Sequence, residues 1–191
     1  MTEEEKQYLP LLRSRLRPER YVHSLGVAET AGRLAERYGT DVRKARLAGL
    51  LHDVTKNLTA EEQREWLRKT GEDANDGLMR SPGVWHAVTG AYFVRDELGL
   101  TDEDIFRMIY WHTSGHAGMK TDEKTVYVAD FVEPNRKYPG VESLRNLAFR
   151  NLDAAALEGV SFCLIENVKK NKFIYEATMA FYNDLVGGER I

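Results

Sequence analysis

Apolar residues recur at three- and four-residue intervals along almost the whole 191-residue chain, and nowhere do they alternate over enough residues to support a strand. That pattern restricts the chain to an all-α fold. The length suits a single-domain helical bundle over residues 1–191, with a core over about 20–136 and C-terminal helices over 141–186 packed on it. The punctuation places the elements. Thr2 and Glu5 have capping-box spacing and open a helix to Leu16, which Pro10 kinks or divides. Pro18 suits the first turn of a second helix that runs to about Tyr38 and stops at Gly39. The third spans Asp41 to Asp53; Ala45, Leu47, Ala48, Leu50 and Leu51 leave its end almost no polar face, so it is expected at the centre.

Thr59 and Glu62 then open an exposed helix through Lys69, and the glycine- and proline-broken stretch Gly71 to Gly83 reads as a loop. Helices are expected over Val84–Leu98 and Thr101–Trp111, a loop over His112–Thr121, and a helix over Lys124–Glu133 stopped by Pro134. A short helix over Val141–Phe149 precedes one long helix or two from Leu152 to Leu185, ending at Gly187-Gly188. That C-terminal region covers the core or pairs with a second copy in a homodimer.

Composition excludes several classes. The net charge of −3 comes with no basic block, which argues against duplex nucleic acid or an anionic membrane as partner. No apolar run approaches spanning length, and the acidic Met1–Glu5 start is not that of a signal peptide. The one cysteine, Cys163, precludes an intrachain disulfide and fits a cytoplasmic location.

The chemistry gathers on histidines. His52 and Asp53 end the apolar run Ala48–Leu51, with Lys56 one turn on. His23, His86 and His112 also sit at element ends or on apolar faces, beside Val22, Trp85 and Trp111. Each alone reads as an ordinary core or surface histidine. Together, four imidazoles in one small core would leave many polar atoms without partners, and metal coordination removes that difficulty. Asp130, set among Val128, Ala129, Phe131 and Val132, is the matching carboxylate, since an aspartate there needs a cation or a metal. Glu133, three residues on, is a candidate for a metal-bound water or a substrate group, or else faces solvent.

This order of residues (His23, His52-Asp53, His86, His112, Asp130) resembles the HD-domain phosphohydrolase superfamily. The segments His23–Ala28, Ala48–Lys56, His112–Gly115 and Ala129–Arg136 are similar to its YqeK-type branch, the bacterial symmetrical diadenosine tetraphosphate hydrolases with a di-iron centre. The resemblance spans roughly Arg20 to Arg150. It implies that His23, His52, Asp53 and Asp130 hold one metal and that Asp53, His86 and His112 hold the other, with Asp53 bridging and a hydroxide between the ions attacking phosphorus. Thiolate-free ligation suits Fe, Mn, Zn or Ni, and iron comes from the resemblance alone. His116 receives no ligand role.

Phosphoryl transfer also asks for positive charge opposite the phosphates. Lys56 and Arg136 are the candidates for that catalytic task and for substrate binding; Thr113 and Gly115 could offer a hydroxyl and a backbone N–H, and Arg80 is a more distant cation. The expected reaction is hydrolysis of diadenosine tetraphosphate to two ADP. The alternatives are hydrolysis of a nucleoside mono- or triphosphate, cyclic nucleotide or alarmone, and a nucleotide-sensing module with structural metals.

Overall fold

The structure, a computed structural model, describes residues 1–187. Helices α1 (Glu3–Lys6) and α2 (Leu9–Arg15) lead into α3 (Pro18–Tyr38), and α4 (Val42–Leu51) turns back against it. Then come α5 (Ala60–Thr70), the single turn α6 (Asp76–Met79), α7 (Trp85–Asp96), α8 (Glu103–Trp111) and α9 (Thr121–Val132). Finally α10 (Val141–Ala148), α11 (Leu152–Lys169) and α12 (Glu176–Gly187) close the C-terminal side. The fold is all-α, and the described residues contain no strand. No described helix is long and apolar enough to cross a membrane.

The central position expected of α4 is what the packing shows. Its Ala45, Leu47, Ala48, Leu50 and Leu51 are at most 1 % exposed, and the helix touches α3, α8 and α9. Gly49 makes the closest of these approaches possible, because a Cβ there would lie 3.1 Å from the Ala28 backbone on α3. Truncating Leu50 or Leu51 to Ala in such a core costs about 2–5 kcal/mol. A second, smaller apolar cluster joins Leu67 of α5, Leu78 of α6, Trp85 and Val88 of α7, and Tyr175.

The local signals are realised with small shifts. Thr2 and Glu5 form the capping box of α1, and Glu5 also takes two hydrogen bonds from Arg46, docking α1 onto α4. Pro10 divides the first expected helix by sitting in the first turn of α2. Gly39 ends α3 in the left-handed region at φ 70°. Two expectations need correction. The stretch from Gly71 to Gly83 is not all loop: a 3₁₀ turn (Glu72–Ala74) precedes α6, whose Leu78 N–H is capped by Asn75 Oδ1 and whose Leu78 side chain is buried. Helix α9 starts at Thr121, a turn earlier than Lys124, because the Glu123 carboxylate accepts the Lys120 N–H. Of the one or two helices expected over 152–185 the structure has two, separated at Lys170–Tyr175 where Asn171 has φ 50°; the expected end at Gly188 lies outside the described residues.

Candidate metal centre

Two helices end on histidines that face each other. His52 follows the last residue of α4 and His112 follows the last of α8. A helix leaves its final carbonyls without intrahelical partners, and each ring uses one: His52 Nδ1 donates to Gly49 O and His112 Nδ1 to Ile109 O, both at 2.7 Å. The proton is thereby fixed on Nδ1, and the Nε2 lone pair of each ring points inward, the arrangement of a metal-ligating imidazole. After His52 the chain continues in tight turns, with Val54 N–H bonded to Leu51 O and Lys56 N–H to Asp53 O, which brings Lys56 back over the same site.

Long helices supply the rest. His23 lies in the second turn of α3 and His86 in the first turn of α7. The four imidazoles form a chain of edge-to-face neighbours, with ring centroids 5.3 Å apart for His23–His52, 4.8 Å for His52–His112 and 5.2 Å for His86–His112. All four are buried.

Asp53 sits among them with its two oxygens turned to different partners. Oδ2 is 3.3 Å from His52 Nε2 and 4.0 Å from His23 Nε2, while Oδ1 is 3.3 Å from His86 Nε2 and 3.9 Å from His112 Nε2. Burial opposes ionisation of this carboxyl, but the neighbouring His52, His86 and Lys56 outweigh burial and hold it well below the usual carboxylate range. Asp130, in the last turn of α9, places Oδ1 2.9 Å from His23 Nε2 without the alignment of a hydrogen bond. Its carboxyl is also held low: burial raises it, and His23, His52 and Arg136 more than compensate.

The donor set fits metal ions. His23 Nε2 and His52 Nε2 are buried nitrogens without a hydrogen-bond partner, a costly state for a polar atom. The ligand atoms of His23, His52 and Asp130 all lie within 4.8 Å of one another, as do those of His52, Asp53 and His112. Imidazole and carboxylate together suit divalent transition metals. At the other side, His86 Nε2 is 2.9 Å from Lys56 Nζ, and the Thr113 hydroxyl is 3.2 Å from His86 Nε2 and 2.9 Å from His112 Nε2. Burial, followed by the charge of Lys56, keeps His86 neutral far below the ordinary histidine range; burial and His52 lower His112 to about 4.

Residues 20–153 match the family model described as the HD domain. The chain belongs to the HD-domain family. Among similar proteins, one from Bacillus subtilis named symmetrical bis(5'-nucleosyl)-tetraphosphatase is 40 % identical over 183 residues, spanning 96 % of this chain and 98 % of its own. A Staphylococcus aureus protein of the same name is 34 % identical over 175 residues, covering 91 % of this chain and 90 % of its own. A crystal structure from Clostridium acetobutylicum, described as a predicted HD superfamily hydrolase involved in NAD metabolism, superposes with a TM-score of 0.93 at 34 % identity, covering 96 % of this chain and 97 % of that one.

Around the HD histidines, the expected phosphate contacts fall into two groups. Lys56 and Thr113 reach the centre as described, and Arg136 donates to Asp130 Oδ1 while its Nε is held by Asp130 O at 2.7 Å. Arg145 fixes that bend by donating to Val132 O, Glu133 O and Arg136 O, each at 2.8 Å. Glu133 and Gly115 depart from expectation. Glu133 is 1 % exposed and both its oxygens are engaged: Oε1 accepts from His23 Nδ1 at 3.1 Å, and Oε2 from Asn135 N and Nδ2 at 2.7 and 2.9 Å. It orients a histidine and does not face a substrate or solvent. The Gly115 N–H bonds to Trp111 O, so it offers no phosphate donor; the residue is needed for φ 63° and for the Phe181 ring, which would lie 2.2 Å from a Cβ.

Arg80 lies away from the centre, its guanidinium 4.0 Å over the Phe173 ring. His116 pairs with Glu123 and Arg107 and takes no part in the cluster. One functional side chain went unremarked at the level of sequence. Arg20 Nη1 donates to Asp53 Oδ2 at 2.9 Å, and its spacing of three from His23 on a helix was the available signal.

Proposed function

We propose that this chain is a metal-dependent hydrolase that cleaves diadenosine tetraphosphate symmetrically, releasing two ADP. The observation that carries the reading is Asp53, a buried carboxylate whose two oxygens address two separate groups of histidines under a rim of cations. The names of the similar Bacillus and Staphylococcus proteins support the substrate.

His23, His52, Asp53 and Asp130 would hold one ion, and Asp53, His86 and His112 the other. Iron is the proposed native metal. Such a pair supplies Lewis-acid activation of a water and of the phosphoryl group. The chain's own residues do the rest. Arg20, Lys56 and Arg136 surround the centre and would balance the charge of the phosphate oxygens, the main electrostatic demand of phosphoryl transfer. Lys56 is suited to this by position: it faces Asp53 Oδ1 at 3.9 Å and His86 at 2.9 Å. Burial lowers its pKa, and Asp53 opposes that. Thr113 offers a hydroxyl at the same rim. Glu133 holds the His23 ring in register, and the carbonyls of Gly49 and Ile109 do so for His52 and His112.

The test is product analysis. Diadenosine tetraphosphate should yield ADP alone; AMP with ATP, or free inorganic phosphate, would reject symmetrical cleavage. Elemental analysis of protein purified without added metal tests the iron assignment.

A further inference from the structure

Of the four clustered histidines, His86 is held differently from the rest. His23 directs its Nδ1 to Glu133, His52 to Gly49 O and His112 to Ile109 O. Among the described residues no carbonyl or carboxylate accepts from His86 Nδ1; the atom that meets it is Lys56 Nζ at 3.3 Å, itself a donor. Outer acceptors of this kind fix the ring of a ligating histidine and contribute about 10- to 100-fold in metal affinity. Helix α7 also opens without a side-chain cap, since Val84 at its N-cap offers none. The His86 ring is therefore placed through its backbone.

That backbone is tied to the turn that carries Asp53. Thr55, two residues past Asp53 and buried, donates its hydroxyl to His86 O at 2.9 Å. Its oxygen lies 2.9 Å from the hydroxyl of Thr89, also buried and one turn further along α7. A threonine hydroxyl has one proton to give. With that of Thr55 committed to His86 O, Thr89 donates to Thr55, and the two hydroxyls form a short buried chain in which each bond polarises the next. Gly90 lets α7 lie this close, because a Cβ there would be 3.3 Å from His52 O and 3.4 Å from Thr55 Oγ1. The turn that follows α4 and the first turns of α7 thus meet in one contact, and Thr55 supplies its hydrogen bond to the His86 backbone.

We propose that Thr55 is a positioning residue of the metal centre: through the His86 carbonyl it holds α7 in register with the Asp53 turn, and so sets how well Asp53, His86 and His112 together hold their ion. The proposal rests on the two-ion reading of the centre and adds what distinguishes its halves. The other group, His23, His52, Asp53 and Asp130, draws nothing from α7, since its ligands come from α3, the end of α4 and α9. Loss of the Thr55 hydroxyl therefore acts on one ion and spares the other.

The experiment titrates the metal-free full chain with Zn²⁺ in competition with a chromophoric chelator. The unaltered chain should take two equivalents, the second about 10- to 100-fold more weakly, as an imidazole without an outer acceptor implies. His86→Ala should abolish the second equivalent alone, which assigns it. Thr55→Val keeps the shape and removes the hydroxyl; it should weaken the second equivalent about tenfold, the value of one buried hydrogen bond, and leave the first unchanged. Thr55→Ser returns the hydroxyl and should recover the second equivalent. Gly90→Ala pushes α7 off the same contact and should also weaken the second equivalent; it decides the matter if Thr55→Val does not fold. An unchanged second equivalent in Thr55→Val, equal weakening of both equivalents, or no recovery in Thr55→Ser overturns the proposal. A single equivalent in the unaltered chain would instead remove the two-ion reading, and the proposal with it. Failure to hydrolyse diadenosine tetraphosphate would remove only the substrate, and these titrations would still decide the role of Thr55.

Discussion

Glu133 offers a sharp test, because sequence and structure give it different jobs. As a substrate ligand its loss would lower turnover and leave metal content alone. As the acceptor of the His23 Nδ1 proton, its loss must act through metal affinity. The side chain is almost inaccessible to water and its bond to His23 measures 3.1 Å, so the interaction is a buried, charge-assisted hydrogen bond worth about 1.5–3 kcal/mol. Outer partners of ligating histidines typically contribute 10- to 100-fold in affinity, about 1.4–2.7 kcal/mol, and the two ranges agree. Glu133→Ala should therefore weaken metal binding by about 10- to 100-fold, read by chelator competition on purified apoprotein, with turnover restored at high metal concentration. Glu133→Gln keeps an acceptor oxygen and should sit near the lower bound. A third variant reaches the same carboxylate without altering it: a Cβ at Gly26 would fall 2.4 Å from Glu133 Oε2, whose oxygens are pinned by His23 and Asn135 and have little room to yield. Gly26→Ala should reproduce the loss of affinity. Unchanged metal affinity in both Glu133→Ala and Gly26→Ala would refute this account and return Glu133 to the substrate.

Further outcomes follow from other contacts. Asp53→Ala should abolish metal loading and turnover together, measured by elemental analysis and ADP release, since one side chain faces both histidine groups. Arg20→Ala and Arg136→Ala should keep their metal while turnover falls about 10²-fold, as for loss of one charge-stabilising donor; loss of metal in either would make it a structural support. Chelation should lower the melting temperature by about 10 °C, because a ligand at 1,000 times its Kd adds about 4 kcal/mol; an unmoved transition argues that the histidines hold no ion. Glu5→Gln should cost about 1–3 kcal/mol near pH 6. The hydrogen bond from Arg46 lowers the Glu5 pKa below its ordinary 4.5 despite burial, so the stability it contributes is complete above that value and is lost as pH falls through the folded-state pKa. Urea unfolding of both proteins at pH 6 and pH 3.5 should show the difference shrinking on acidification.

The readable parts of the fold were those set by local chemistry. Pro18 and Gly39 bracket α3 because one fits a first helical turn and the other tolerates a left-handed stop. The burial of α4 was visible because its last five residues, Leu47 to Leu51, hold no polar side chain. The short helix α6 was not visible, because a single turn has no period to detect; it exists through an Asn75 cap and through Leu78 packing on Trp85, whose Nε1–H donates to Leu78 O. The break after Lys169 was legible in part, since one helix or two stood open over 152–185; the polar run Lys169–Lys172 interrupts the apolar pattern, and the left-handed Asn171 marks the stop.

At the site, the kinds of residue were legible and their division of labour was not. Six positions, His23, His52, Asp53, His86, His112 and Asp130, stand out because imidazole and carboxylate are expensive on apolar helix faces, and that expense is a property of each residue's neighbours in sequence. Which carboxylate binds and which one steadies depends on distances across more than 100 residues of chain, as between His23 and Glu133. The i, i+3 relation of Asp130 and Glu133 suggested a shared helix face. Helix α9 ends at Val132 with Glu133 as its C-cap, and both carboxylates reach the His23 ring of α3 from its two nitrogens, Asp130 at Nε2 and Glu133 at Nδ1. Arg136 follows from the same turn, brought back onto Asp130 by Arg145 bonding three carbonyls of the bend. The bend after α9 thus carries both Glu133, which steadies His23, and Arg136, which meets Asp130, and Arg145→Ala should disturb both by loosening that bend, lowering metal affinity and turnover together where Arg136→Ala lowers turnover alone.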